Sequence, residues 1–184
     1  GQFTANTMST VCELLGVSPM AANGVPAMAA EKHNVAKQAG ELLLDLVRRD
    51  VRPRQIVTKQ AVENAIAAVA STGGSTNAVL HLLAIAHEAD IDLQLEDFDR
   101  VSERTPLLAD LKPGGQFVAT DLYRAGGLEL VVKRLKEAGL LHTEAMTVTG
   151  QTIGEVADTA QETAGQKVVR PVSDPITPTG GLVI

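Results

Sequence analysis

Aromatic residues are scarce in this chain of 184 residues. They make up 2% of it, with one Tyr, three Phe and no Trp. The core must therefore be built from Leu, Val, Ile and Ala, and a surface on which nucleic-acid bases stack is disfavoured. The net charge of −6 also argues against a polyanionic partner. We expect no nucleic acid among the partners of this protein.

Cysteine is represented once, by Cys12. A single thiol excludes an internal disulfide and fits a reducing compartment, so we expect a cytoplasmic location. No segment reaches the length of a membrane span, and residues 1–20 lack the pattern of a signal peptide, so no membrane partner is expected. Pairs of cysteines and the HExxH, Walker and GxSxG patterns are also absent.

Hydrophobic residues make up 45% of the chain and charged residues 21%, which is enough for a core and a polar surface. The length suits one domain, or one domain and a piece of another. The chain opens on Gly1 without an initiator Met and closes on the apolar run of residues 182–184. We expect both ends to be internal to a larger protein.

The most informative stretch leads from two glycines and three small polar residues into an apolar run, residues 78–86. Apolar residues there fall on every side of a helical wheel, which predicts a helix buried all round. Two interpretations of its start stay open. Unpaired N–H groups at the helix N-terminus would suit a carboxylate or phosphate. Alternatively, a glycine turn and a Ser or Thr N-cap simply begin a core helix.

Helices dominate the rest of the prediction. Apolar spacing and capping signals predict helices at residues 4–15, 30–49, 58–69, 95–103, 127–138 and 152–163. Thr4, Thr58 and Thr152 are the expected N-terminal caps. Short apolar stretches predict strands at residues 116–119, 145–149 and 168–172. Residues 17–28 are expected to form a loop, and residues 174–181, rich in Pro and Gly, an interdomain linker.

Single residues offer little chemistry of their own. His81 lies on the apolar helix and is expected to be a hydrogen-bonded core residue. His33 and His87 are expected on the surface, and His142 at the end of a helix. Cys12 is expected to be a small buried apolar residue rather than a nucleophile.

Six segments, in order, resemble the dihydroxy-acid dehydratase family, which also holds phosphogluconate and sugar-acid dehydratases. They are GQFTANTMS at residues 1–9, GGSTNAVLHL at 73–82, DLYRAGG at 121–127, AGLLH at 138–142, TVTG at 147–150 and PTGGL at 178–182. The resemblance runs from one end of the chain to the other. Its opening segment is closer to the enzymes of branched-chain amino-acid synthesis than to the phosphogluconate enzymes.

The resemblance implies a hydro-lyase that removes water from a 2,3-dihydroxy acid to give a 2-keto acid, in valine and isoleucine synthesis. It also implies an iron–sulfur cluster acting as a Lewis acid on the leaving hydroxyl, and magnesium holding the substrate. The expected partners are the dihydroxy acid and a second subunit of a homodimer. A sugar-acid dehydratase of the same family and a non-catalytic helical interaction module remain alternatives.

No cluster ligand, metal ligand or catalytic residue of the family falls on this chain. The third cluster cysteine would lie two residues before Gly1, and the catalytic serine beyond Ile184. We expect the chain alone to be inactive and free of iron. The residues expected to line the substrate site are Thr4, Asn6, Gly73, Gly74, Ser75, Thr76 and Asn77.

The implied fold is a helix-rich α/β segment with αβα layers, from the N-terminal domain of the family. Residues 1–172 would form the second half of that domain. Residues 173–184 would form a linker and the start of a C-terminal barrel-like domain.

Overall fold

The computed structural model describes residues 1–182, and helices are its main elements. Nine of them lie in that range: α1 (Thr4–Leu14), α2 (Glu31–Arg48), α3 (Pro53–Ile56), α4 (Lys59–Thr72), α5 (Asn77–Glu88), α6 (Leu95–Arg104), α7 (Ala119–Ala125), α8 (Gly127–Glu137) and α9 (Ile153–Asp158). The predicted helix-rich fold is confirmed. None of these helices is long and apolar enough to cross a membrane.

Helix α4 forms the centre of the core, and α1, α5, α6 and α8 contact it. From Ala61 to Thr72 every residue except Glu63 is buried, including the polar Asn64. Five alanines in α4 keep its surface small, which lets the neighbouring helices approach closely on several sides. The helix buried all round is therefore α4.

The prediction that α5 is buried all round was wrong. Its buried residues are Ala78, Val79, Leu82 and Ala86, which form a single stripe. Leu80 is 67% exposed and His81 is exposed as well, so His81 is not a core histidine. The apolar run misled the prediction because hydrophobicity alone does not show which faces of a helix find a neighbour.

Helix boundaries largely follow the capping signals. Thr58 caps α4 by accepting a hydrogen bond from the amide of Ala61 at 3.2 Å. Thr152 caps α9 in the predicted capping box, but that helix ends at Asp158, before the predicted end at residue 163. The predicted cap Thr4 is instead the first residue of α1, and Phe3 occupies the N-cap without a side-chain bond. Gly139 adopts a left-handed φ of +68° beyond α8, as expected.

The three predicted strands were wrong, since the described residues hold only isolated β-bridges. Around residues 168–172, the side chain of Gln166 accepts the amides of Val168 and Val169, both at 2.9 Å. Pro171 has no amide to donate. These side-chain and proline effects leave a single bridge at Val169, to Ala109. The layered αβα arrangement is therefore not visible in residues 1–182.

The other two predicted strands fail for local reasons as well. Near residues 116–119, the amides of Gln116 and Phe117 both donate to the carbonyl of Asp110, at 3.1 and 3.0 Å. Helix α7 then begins at Ala119. In the segment 145–149, Met146 makes one bridge to Thr152 across the turn at residues 147–150.

Residues 173–182 lie along the ends of the core helices. The amide of Gly180 donates to the carbonyl of Ser102 at 2.9 Å, and that of Gly181 to Ala70 at 3.1 Å. A Cβ on Gly180 would lie 2.7 Å from the Cβ of Ala70, so a glycine is needed for this approach. The interdomain role of this segment stays a prediction, and residues 183–184 lie outside the described range.

Candidate functional site

The first turn of α1 meets the turn between α4 and α5 through a small polar cluster. The Thr4 and Ser75 hydroxyl oxygens lie 3.1 Å apart. The side-chain amide of Asn77 donates to the Thr4 hydroxyl at 2.8 Å, and its backbone amide donates to the Ser75 hydroxyl at 3.2 Å. The structure thus brings together three of the residues expected to line a site, from two segments that are distant in sequence.

Thr7 belongs to this junction and was not predicted. It is fully buried, and its hydroxyl accepts the backbone amide of Ser75 at 3.0 Å. A Cβ on Gly74 would lie 2.9 Å from Val69 and 3.1 Å from the Thr7 methyl group, so Gly74 is required for this approach. The spacing of Thr4 and Thr7 on one face of a helix was the available signal.

The backbone amides of the glycine turn are mostly used within the protein. Those that donate to protein acceptors are the amides of Gly73, Gly74, Ser75, Asn77, Ala78 and Val79. The N-terminus of α5 therefore lacks the set of free donors that the carboxylate or phosphate interpretation requires. Thr76 is at the N-cap of α5, but its side chain makes no capping hydrogen bond. The capping interpretation therefore holds only for Ser75, whose hydroxyl accepts the amide of Asn77. The turn can offer a ligand its side chains instead, since Thr76 and Asn77 are exposed.

Asn6 lies apart from the Thr4 cluster, because two positions along a helix rotate a side chain to another face. Its side-chain amide donates to the carbonyl oxygen of Gln2, and Gln2 in turn donates to the Thr72 hydroxyl at 2.9 Å. Gln2 is 1% exposed, an unusual burial for glutamine. It connects the start of α1 to the end of α4.

Asn6 also lines a cavity of about 390 Å³ between α1, the loop after it and the α7–α8 turn. Two carboxyl groups line the same cavity, those of Glu13 and Glu129. Burial raises the pKa of Glu13 to about 7, although backbone amides of Asn23 and Ala21 donate to it and lower the pKa. Burial also raises the pKa of Glu129. Raised pKa values in a cavity are typical of functional sites.

His142 and Glu63 form a second polar group on the far side of α4. The Nε2 atom of His142 lies 2.6 Å from a Glu63 carboxylate oxygen. Burial raises the pKa of Glu63, but hydrogen bonds from Arg100 and His142 outweigh it and hold the pKa below its ordinary value. Asn64 fixes the backbone of His142, accepting its amide at 2.8 Å and donating to its carbonyl at 3.0 Å.

The residues described do not fit a resident metal or cluster. Within residues 1–182, no group of three or more His, Cys, Asp or Glu side chains is placed to hold a metal ion. Cys12 is only partly buried, and burial raises the pKa of its thiol. One neutral thiol cannot supply the thiolate ligands of an iron–sulfur cluster.

Comparisons with known proteins agree on one family. The family model for the dihydroxy-acid/6-phosphogluconate dehydratase N-terminal region matches residues 1–156. Dihydroxy-acid dehydratase of Koribacter versatilis (strain Ellin345) is 65% identical over 184 residues, which is 100% of this chain and 32% of the relative. Those of Roseiflexus sp. (strain RS-1) and a strain of Thermus thermophilus are 54% and 52% identical, again over the full chain and 33% of the relative.

The chain spans about a third of the length of these relatives. The family match covers most of the chain and includes both halves of the polar cluster, the segment from residue 1 and the glycine turn at residues 73–77. The chain therefore belongs to the dihydroxy-acid/6-phosphogluconate dehydratase family.

Proposed function

We propose that this chain is a segment of a dihydroxy-acid dehydratase, a hydro-lyase that converts 2,3-dihydroxy acids to 2-keto acids in branched-chain amino-acid synthesis. The observation that carries the proposal is 65% identity, over the whole chain, to a relative named dihydroxy-acid dehydratase. The GQFTANTMS and GGSTN segments meet in one polar cluster, which gives these two stretches a shared location.

We propose that this cluster lines the substrate site. Thr4, Ser75, Thr76 and Asn77 provide hydroxyl and amide groups, and Gly73 and Gly74 keep the turn free of side chains. Neutral hydroxyls and amides suit the hydroxyl groups of a dihydroxy acid, since each can donate or accept a hydrogen bond. Most backbone amides of the turn already donate to acceptors within the protein, so the turn is a poor site for the substrate carboxylate.

The iron–sulfur cluster and Mg²⁺ are proposed for the parent protein only, on residues outside this chain. When bound, they would supply Lewis-acid stabilisation of the leaving hydroxyl. The proposal also includes a cytoplasmic location, in line with the single cysteine. It includes a homodimer as well, which the family resemblance implies. It further includes αβα layers completed by strands from the rest of the N-terminal domain.

Two substitutions in the full-length parent protein test the role of the turn. Thr76→Val removes a hydroxyl and keeps the side-chain shape, and Asn77→Leu removes the amide that reaches Thr4. We expect kcat/KM for dihydroxyisovalerate to fall roughly 3- to 10-fold for each, the value of one or two neutral hydrogen bonds. Thr120→Val, at another exposed threonine, is the matched control and is expected to leave kcat/KM unchanged.

Three results would count against the proposal. Unchanged kinetics in both variants would assign the turn to helix capping alone. Turnover of aldonates but not of dihydroxyisovalerate by the unmodified parent would indicate a sugar-acid dehydratase. Absence of turnover on either substrate would favour an interaction module.

A further inference from the structure

Helix α2 carries two apolar stripes that are offset from each other by one residue. In both, successive members are four, three and four positions apart, the spacing of residues that share one face of a helix. The inner stripe is Val35, Ala39, Leu42 and Leu46, and the outer stripe is Ala36, Gly40, Leu43 and Val47. One stripe is enough for a surface helix to pack on one core, so the second stripe needs a separate explanation.

The inner stripe faces the rest of the described chain. Its members Val35, Leu42 and Leu46 are half-buried. Val35, Ala39 and Leu42 also line a cavity of about 380 Å³, and Met20 of the preceding loop lines the same cavity. The inner stripe therefore accounts for the attachment of α2 to the chain.

The outer stripe is exposed along its whole length. Leu43 is 61% exposed and Val47 is 69% exposed, and Ala36 is exposed as well. A Cβ on Gly40 would meet no atom of the described residues within 4 Å. Contiguous exposed apolar surface of this kind is typical of a protein–protein contact.

The outer stripe is small at one end and large at the other, which makes it complementary to itself. Two helices pack evenly, about 8–10 Å apart, when the facing side chains fill similar volumes along the contact. In an antiparallel pair of identical helices, Ala36 faces Val47 and Gly40 faces Leu43, so every contact joins a small and a large residue. In a parallel pair, small residues would face each other at one end and leave a gap there.

The charges beside the outer stripe are compatible with this pairing. Lys37 and Glu41 each follow a small member of the stripe, and the Lys37 Nζ atom lies 3.8 Å from a carboxylate oxygen of Glu41. This border of the stripe therefore presents a neutralised pair rather than two free charges. Antiparallel alignment also places the positive end of each helix dipole beside the negative end of the other.

We propose that the outer stripe of α2 packs antiparallel against the same stripe of a second copy of the protein, about a two-fold axis near residues 41 and 42. The inference rests on the homodimer included in the proposed function and adds to it the surface that joins the two copies. From Ala36 to Val47 the stripe spans about 16 Å of helix, so it forms the centre of the interface rather than its full extent.

The test uses the full-length parent protein. Dissociation of the dimer is measured by analytical ultracentrifugation of a dilution series, and by subunit exchange where the dimer stays intact on dilution. Gly40→Leu adds volume where the chain itself leaves open space, so the variant should fold normally. Across the two-fold axis the new side chain collides with Leu43 of the second copy, and it does so twice. We expect the dissociation constant, or the exchange rate, to rise about 10- to 100-fold. Asn34→Leu, on the polar face of α2, is the matched control and should change neither.

A double variant tests the pairing of particular positions. Gly40→Leu combined with Leu43→Ala exchanges the large and the small position, so each contact again joins one residue of each size. We expect it to restore the dimer to within about 3-fold of the unmodified protein. The same double variant would leave a parallel pair mismatched, and it would also leave a contact with any other segment of the parent mismatched.

Three results would overturn the inference. They are an unmodified parent that is monomeric, a dimer that Gly40→Leu leaves unchanged, and a loss in Gly40→Leu that adding Leu43→Ala does not restore. The third result would assign the outer stripe to a parallel pair or to another segment of the parent. Failure of the unmodified parent to turn over dihydroxyisovalerate contradicts the proposed function instead, because the dimer is measured without substrate.

Discussion

Replacing Glu13 by Gln should change how the stability of this chain depends on pH. Glu13 is 2% exposed, and its carboxylate oxygens accept the amides of Ala21 and Asn23 at 3.0 and 2.8 Å. Burial raises its pKa from an ordinary value of 4.5 to about 7. Between these two values the folded chain holds a proton that the unfolded chain releases. The free energy of unfolding therefore falls as pH rises through this window.

The size of the effect follows from the shift. At 1.36 kcal/mol per pKa unit, a rise from 4.5 to about 7 corresponds to about 3 kcal/mol of stability. This contribution is fully present below pH 4.5 and is lost as pH rises through 7. The pKa values of Asp97 and Glu63 are lowered instead. Their contributions to the free energy of unfolding therefore change with pH mainly below 4.5, outside the range in which Glu13 titrates.

Urea unfolding at about pH 5 and about pH 8 measures this difference. Glu13 should account for about 2.5 kcal/mol of the stability that the unmodified chain loses between the two pH values, and Glu13→Gln should lose correspondingly less. A smaller slope should remain in the variant, because the pKa of Glu129 is also raised by burial. Glu103→Gln, at an exposed glutamate, controls for the change in net charge. Parallel pH dependence in the unmodified chain and Glu13→Gln would refute the assignment to Glu13.

Two further substitutions test the packing of turns against the core helices. Asn64→Leu removes both hydrogen bonds to the backbone of His142 and leaves two polar groups without partners, so urea unfolding should show a loss of about 2–4 kcal/mol. Gly16→Ala adds a Cβ that collides with the carbonyl of Met146, at a φ of +78°. Thermal unfolding should show a loss of at least about 2 kcal/mol, and Gly40→Ala, where a Cβ has open space, should be neutral or stabilising. A loss of stability well below these values in either variant would show that the surrounding turns shift to accommodate the substitution.

Most of the helices could be predicted from the sequence because their signals are local, although the short helices α3 and α7 were not predicted. Capping residues such as Thr58 and Thr152 act within three positions, and the apolar period of a helix is visible in one stretch. The strands could not be predicted in the same way. A backbone amide can donate either to a neighbouring strand or to a nearby side chain. The amides of Val168 and Val169 donate to the side chain of Gln166. That competition depends on positions in space that the sequence does not show.

The resemblance supplies the residues of the candidate site but not their arrangement. Resemblance to a family selected Thr4, Asn6, Ser75 and Asn77, and the structure brings three of them together. Helix periodicity alone separates Asn6 from the face that carries Thr4 and Thr7. Which of these faces meets the glycine turn depends on how α1 packs against α4, and the sequence does not show that packing.

The burial of α4 and the orientation of the site are physically linked. Alanines on α4 let α1 approach closely, and this approach brings Gln2 to Thr72 at the end of the same helix. A larger side chain at a fully buried alanine of α4, as in Ala68→Leu, must displace a neighbouring element, since cores accommodate added volume poorly. Thr72→Val instead removes the hydroxyl that accepts from Gln2 and leaves the buried Gln2 amide without that partner. We expect each variant to lose about 1–3 kcal/mol of stability in urea unfolding. Thr72→Ser keeps the hydroxyl and should retain most of the stability that Thr72→Val loses, whereas an equal loss in Thr72→Ser would assign the effect to packing rather than to the hydrogen bond.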